Sequence, residues 1–324
     1  MASPNNSAQN RVIDPINSNV ARGYKDPQFV GMHLFPAVPV QVAGGRVIEF
    51  GKEAFRRYNT RRAPGSSTKR VQFGHQGDPY ALTNHRLEGV VPREFQRDAS
   101  RVPGIDLATR AIRNVQTIQT RELEIEQAEL ARDANNYDNN HKVTLVGSAQ
   151  WSHADAKPAT QVREYRQAIR ASIGVYPNVL LLGAAAFDAA AENPAVLERT
   201  KYTSSDSITA EMLAKQFGVE KVVVGEGVYA TDDDAADFVD IWGNDGILAY
   251  VPAGADGTTY APGSGSLNME QPSFAYTYVM EGHPLVEKPY WDNNTASWIY
   301  PVAYERAPVL AGMAAAFLIK DITG

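Results

Sequence analysis

Asp232, Asp233 and Asp234, followed by Asp237 and Asp240, are the densest group of hard oxygen ligands in the chain, and calcium is the ion such a group would hold. An EF-hand loop needs another oxygen ligand and then a glycine where Ala236 and Asp237 stand, so that motif fails. A different divalent site, a solvated loop and a face that meets another protein stay open for these carboxylates. The six histidines, His33, His75, His85, His141, His153 and His283, show no ligand spacing such as HExxH. Gly225-Glu226-Gly227 and Gly243-Asn244-Asp245-Gly246 match neither of the common phosphate-binding loops, GxxxxGK(S/T) and GxGxxG, and no serine sits in GxSxG. With no cysteine there is no thiol nucleophile, thiolate metal site or disulfide. No catalytic residue, metal ligand or cofactor is assigned, and the chain reads as a non-enzyme.

Charge is the stronger signal. Between Arg46 and Arg70 there are eight Lys or Arg residues against two acids, Glu49 and Glu53. From Val222 to Glu287 there are eleven Asp or Glu residues and no Lys or Arg. A cationic segment and an anionic one in the same chain attract across copies, which points to self-assembly. As an intersubunit strap, Arg46, Lys52, Arg56, Arg57, Arg61, Arg62, Lys69 and Arg70 would meet carboxylates or carbonyls of a neighbour, with Phe55 as an apolar anchor. The same charges would also release counterions from phosphates, or simply be solvated. The chain's net charge of −6 opposes a dedicated nucleic-acid binder.

The elements that must carry these charges follow from patterning. Residues 1–27 are polar and read as an extended arm. Residues 46–50 and 69–73 alternate charged and apolar positions, as two strands of a ribbon with Pro64-Gly65-Ser66-Ser67 at its tip. Short strands are expected near residues 81–87. From 104 to 133 there is no proline and no interior glycine, and Ile105, Ala108, Ile112, Val115, Ile118, Ile125 and Ala128 recur mostly at helical spacing. That predicts a helix of about 45 Å, with Asp106 and Arg132 suited to its dipole.

Beyond it, residues 142–146, 178–182 and 219–224 read as strands, and 159–173 and 207–217 as helices closed by Gly174 and Gly218. Alternation of this kind between about 142 and 250 predicts an α/β unit. Residues 256–266 read as a surface loop and 273–322 as mainly β, with Phe274, Tyr276, Tyr278, Trp298 and Tyr300 in alternation.

A length of 324 residues, 44% of them hydrophobic and 21% charged, is enough for a well-buried core. The longest apolar run, 307–319, is interrupted by Pro308 and Gly312 and is too short to span a bilayer, and the N-terminus lacks signal-peptide features. A soluble protein without membrane contact is expected.

The order of arm, basic hairpin, long helix, α/β unit and closing strands resembles the major capsid protein of tailed bacteriophages, the Hong Kong 97-type fold. Asn178-Val-Leu-Leu-Leu-Gly183, Phe187, Glu192-Asn-Pro194-Ala-Val196, Glu198-Arg199 and Lys201-Tyr202 are similar to a run in that family. The resemblance implies an α+β chain divided into an N-terminal arm and first strands (1–45), an extended loop (46–73), a peripheral domain with a spine helix (74–141, helix 104–133), an axial domain (142–270) and closing strands that return to the peripheral domain (271–324).

It also implies an icosahedral shell of hexamers and pentamers enclosing double-stranded DNA without sequence-specific contacts. A separate scaffolding protein and a portal are expected, with assembly in the host bacterial cytoplasm and residence in the virion capsid. In relatives a Lys–Asn isopeptide bond can form, for which Lys52 or Lys69 with Asn293 or Asn294 are candidates. The alternatives are an encapsulin-like nanocompartment shell, an α/β enzyme with an unrecognised site, and a tail or decoration protein.

Overall fold

The computed structural model describes residues 29–47, 61, 79–99, 106–200, 208–231, 238–252 and 273–324. In chain order its strands are β1 (Ala37–Val40), β2 (Gly44–Arg46), β3 (Pro79–Ala81), β4 (Thr83–Pro92), β5 (Lys142–Thr144), β6 (Val179–Gly183), β7 (Lys221–Gly225), β8 (Val228–Tyr229), β9 (Val239–Asp240), β10 (Gly246–Ala249), β11 (Ala275–Met280), β12 (Leu285–Val286), β13 (Tyr290–Asp292), β14 (Ser297–Leu310) and β15 (Ala316–Lys320). The α-helices are α1 (Arg93–Ala99), α2 (Leu107–Arg132), α3 (Pro158–Ile173), α4 (Ala184–Glu192), α5 (Pro194–Thr200) and α6 (Ala210–Phe217).

Two sheets share the load. The larger is organised on β14, which pairs with β4 along Ser297 to Arg306. On its other side it pairs in turn with β13, β12 and β11. β14 carries two prolines, which cannot donate to a ladder. Pro301 falls between the ladder of β13, ending at Ile299, and that of β12, starting at Val302. Pro308 lies beyond the last β4 pair, Arg306 with Thr83. Both prolines stand where a partner strand is missing on one side.

The second sheet runs β5-β15-β10-β6-β7. Its strands β6 and β10 are buried at every position, as the apolar runs VLLLG and GILA require. Side chains alternate between two cores. Val179, Leu181 and Ile247 enter one with Phe35, Trp242 and Ala128 of the long helix. Leu180, Leu182 and Leu248 enter the other, under α3 to α6. The final strand β15 lies inside this sheet, so residues 273–324 supply strands to both sheets.

The long helix α2 has 26 residues and spans about 39 Å. Asp106 caps it, accepting from the backbone N–H of Ala108 and Thr109. At its far end, Tyr137 donates its hydroxyl to Ala131 O at 2.7 Å. Its buried face differs from the apolar stripe read from spacing. Ile118 is 52% exposed, whereas Gln116, Gln119, Glu124 and Gln127 are buried. A rod wedged between two sheets needs polar contacts to fix its position along the sheets, and Gln119, Glu124 and Gln127 form them, while the Gln116 amide is buried with no hydrogen-bond partner among the described residues.

Candidate intersubunit surfaces

The basic segment is rooted by β2 and β3, which pair Gly44 with Ala81, Gly45 with Tyr80 and Arg46 with Pro79. The Tyr80 ring stacks on Tyr278 of β11 at 4.1 Å and 7°. A side chain at residue 45 would meet the Tyr80 ring at 2.9 Å, so Gly45 permits that close approach. Val38, Val47, Tyr276 and Ala311 pack around the root, which joins the ribbon base to the large sheet.

Of the nine strap residues, only Arg46 and Arg61 belong to the described residues, and both are exposed. Lys52, Phe55, Arg56, Arg57, Arg62, Lys69 and Arg70 lie outside them, as do residues 48–50 of the strand expected at 46–50 and all of the one expected at 69–73. Asp232, Asp233, Asp234 and Asp237 also lie outside, while Asp240 pairs with Val228 in a short ribbon. Of the cross-link candidates, Asn293 accepts the Trp291 indole N–H at 2.7 Å and Asn294 donates its backbone N–H to Asp292. Among the described residues, no group of His, Asp or Glu could hold a metal ion, and no helix is long and apolar enough to cross a membrane.

Sequence reasoning missed the fasteners of the long helix. The Glu124 carboxylate is buried and accepts from Val30 N at 2.9 Å, Gly31 N at 2.7 Å and the Trp242 indole at 2.6 Å. Burial pushes its carboxyl pKa up, against the opposing pull of these three donors. Gln119 donates to Val302 O, and Gln127 to Thr277. Arg306 is fully buried on β14 and grips Glu126 with both terminal nitrogens, at 2.8 and 3.3 Å. Arg132 reaches Asp245 at 2.7 Å and Ile241 O at 3.0 Å, beyond the helix-end role its position suggests.

Within the quoted motif, Asn178, Gly183 and Asn193 have structural roles. Asn178 makes two hydrogen bonds with Val251, one in each direction. Asn193 donates to Trp151 O and His153 O while its side-chain oxygen caps the next helix at Ala195. A side chain at Gly183 would meet the Gly243 carbonyl oxygen at 1.7 Å, which forbids any larger residue.

Two surfaces face outward. Along α2, Glu126, Glu129 and Asp133 line a groove of about 410 Å³ with Leu130, Asn136 and Pro308, and Glu122 precedes them one turn earlier. Around the large sheet, Phe95, Val90, Ile118, Tyr290 and Trp298 leave apolar surface exposed. Isolated apolar residues on a surface are ordinary, but a set this size suits contact with other chains.

Comparison with known proteins follows the same lines. The sequence model of one family, Phage major capsid protein E, matches residues 107–297. The major capsid protein of Burkholderia phage BcepMu is 32% identical over 97% of this chain and 98% of its own length. The crystal structure of a phage-related protein from Bordetella bronchiseptica RB50 superposes with a TM-score of 0.81 at 46% identity, covering 96% of this chain and 98% of that one. The SrpI encapsulin of Synechococcus elongatus shares the fold alone, with a TM-score of 0.52 at 15% identity over 92% and 89% of the two chains. Several phage capsid proteins share it to a similar degree.

Proposed function

The chain belongs to the phage major capsid protein E family, and from that membership we propose how it builds its shell. It is a structural protein of the virion capsid with the Hong Kong 97-type α+β fold, and its activity is assembly with copies of itself. The observation that carries this is 32% identity to a major capsid protein over nearly the full length of both chains. The encapsulin likeness is one of fold, at less than half that identity. Protein cargo in place of DNA in isolated particles would favour that second reading.

In this proposal residues 74–141 and strands from 271–324 form the peripheral part of each subunit. Residues 142–270 cluster around the centres of hexamers and pentamers in an icosahedral shell. Residues 46–73 are the strap. Their charge suits the carboxylates of Glu122, Glu129 and Asp133 along the neighbour's long helix, beside the Glu126 that Arg306 already holds. One exposed pair contributes only about 0–1 kcal/mol, so the strap works by repetition over many copies and through apolar anchors such as Phe55. A separate scaffolding protein and a portal complete the head in the bacterial cytoplasm. With a net charge of −6, the shell encloses double-stranded DNA without reading its sequence.

The test is charge reversal of the strap. Arg56, Arg57, Arg61 and Arg62 changed together to Glu should abolish closed particles in negative-stain micrographs, while the isolated subunit keeps its melting behaviour. Normal particles from that variant would refute the strap.

A further inference from the structure

The axial helix α3 carries Arg163, Arg166 and Arg170, spaced three and four apart, on one side. Glu164 is the helix's single acid. Among the described residues, no carboxylate forms an ion pair with any of the three arginines. Like charges at this spacing repel, so the stripe favours an anionic partner. The stripe is also held ready. The guanidinium carbons of Arg166 and Arg170 each lie 5.0 Å from the Tyr176 ring centroid. Arg170 donates to the Tyr176 hydroxyl at 3.2 Å and Arg166 to Phe217 O at 3.1 Å. Side chains fixed in this way lose little freedom when a ligand arrives.

The chain's densest anionic stretch is Asp232, Asp233, Asp234, Asp237 and Asp240, between β8 and the end of β9. Within one copy the strand that leads into the acids, β8, stands away from the stripe. Arg166 touches Phe217 and Gly218, just before β7 begins at Lys221, whereas β8 follows the other end of β7 at Gly225. The strands that flank the acids, β8 and β9, also lie on the opposite face of the sheet from α3. The apolar face of α3 packs in the core with Leu180 and Leu182, while Tyr229 and Ile241, which flank the acids, pack in the core with Val179 and Leu181. The stripe and the strands that carry the acids thus lie on different sides of one tile. They meet when copies repeat head to tail, the contact type that closes a ring.

We infer that Arg163, Arg166 and Arg170 form a docking stripe for the acidic segment 232–240 of the next copy in a capsomer ring. Beside those acids Phe238, 73% exposed, adds an apolar contact. The inference rests on the shell-forming reading and names the contact between neighbours in that shell.

The experiment is a charge swap. Arg166 is left intact because it holds Phe217 O. One variant carries Arg163→Glu and Arg170→Glu, a second Asp233→Lys and Asp234→Lys, and a third all four changes. Yields of rings and shells are read by sedimentation and negative-stain microscopy, and affinity for a short DNA duplex by mobility shift. Each two-residue variant should lose about tenfold in particle yield, equivalent to roughly 1.4 kcal/mol, and the four-residue swap should recover it.

Normal assembly of the arginine variant, or loss without recovery in the swap, overturns the inference. Normal assembly with lost duplex affinity overturns it too, and gives the stripe to DNA. If the Glu variants melt early, Arg163→Gln with Arg170→Gln decides. A partial loss that high salt no longer deepens supports the contact, and unchanged yield rejects it. A wild-type chain that never assembles, alone or with a scaffolding protein, brings down the shell reading and this inference together; an assembling wild type with an unaffected variant brings down the inference alone.

Discussion

Glu124 on the long helix accepts the indole N–H of Trp242 at 2.6 Å, across 118 positions of sequence. The same carboxylate holds the backbone of Val30 and Gly31. One buried carboxyl group thereby joins the lead-in segment, the helix and the loop before β10. A shell subunit must move as a rigid tile, and this junction supplies stiffness where the two sheets meet.

Glu124→Gln should therefore destabilise the subunit by about 2–4 kcal/mol, because an amide would turn a donor toward one of three N–H groups. Denaturant melts of unassembled protein would show it. A change below about 0.5 kcal/mol, the range of ordinary surface substitutions, would remove the junction from the account.

Gly31→Ala probes the same junction sterically. Its Cβ would stand 2.1 Å from Gln127 Oε1 and 2.6 Å from Glu124 Oε2. Both are side-chain atoms that can shift only by giving up their bonds, so a loss of about 1–3 kcal/mol is expected in the same melts.

Arg306 and Glu126 should couple. A double-mutant cycle with Arg306→Met and Glu126→Gln is expected to give an interaction of about 1.5–3 kcal/mol, the range for charge-assisted bonds in a part-buried site. The Arg306 single variant should cost more than the Glu126 one, since Arg306 is fully buried and Glu126 only half-buried. Purely additive effects would contradict the pairing.

His33 makes stability depend on acid. Its Nε2 lies 3.2 Å from the Lys221 ammonium. Burial first, then that ammonium, lowers its pKa from 6.5 to about 4. Above pH 6.5 both folded and unfolded chains hold it neutral. As pH falls from 6.5 toward 4, the unfolded chain takes the proton first, so stability is lost across that window. His33→Gln should flatten the loss by about 1–3 kcal/mol, read from denaturant midpoints at several pH values. An unchanged pH profile would rule His33 out as the cause.

The sequence was most readable where one physical signal dominated. The 3.6-residue period and the absence of breakers marked the long helix to within three residues of its observed ends. Gly174 and Gly218 end their helices with positive φ, 80° and 69°, as their positions after the last periodic residue suggest. The apolar run 178–182 became the fully buried β6.

What could not be read was polar and non-local. Gln119, Glu124 and Gln127 look like solvent-facing residues on a helical wheel, and only their distant partners Val302, Trp242 and Thr277 explain their burial. Thr83–Pro92 extends past the short strands expected near 81–87 because β14, more than 200 residues later, provides its ladder. Pro301 and Pro308 argue against a strand until the gaps beside them are known. For the proposed strap, charge alone singles out the residues, and the root at Tyr80 and Tyr278 emerges only from the fold.

The most direct measurement is cryo-electron microscopy of particles from this chain, expressed alone and with a scaffolding protein from the same phage. The account predicts closed shells in which residues 46–73 of each copy lie across the copy beside it. A protein that stays monomeric in both conditions, with that basic segment folded onto its own body, would contradict it.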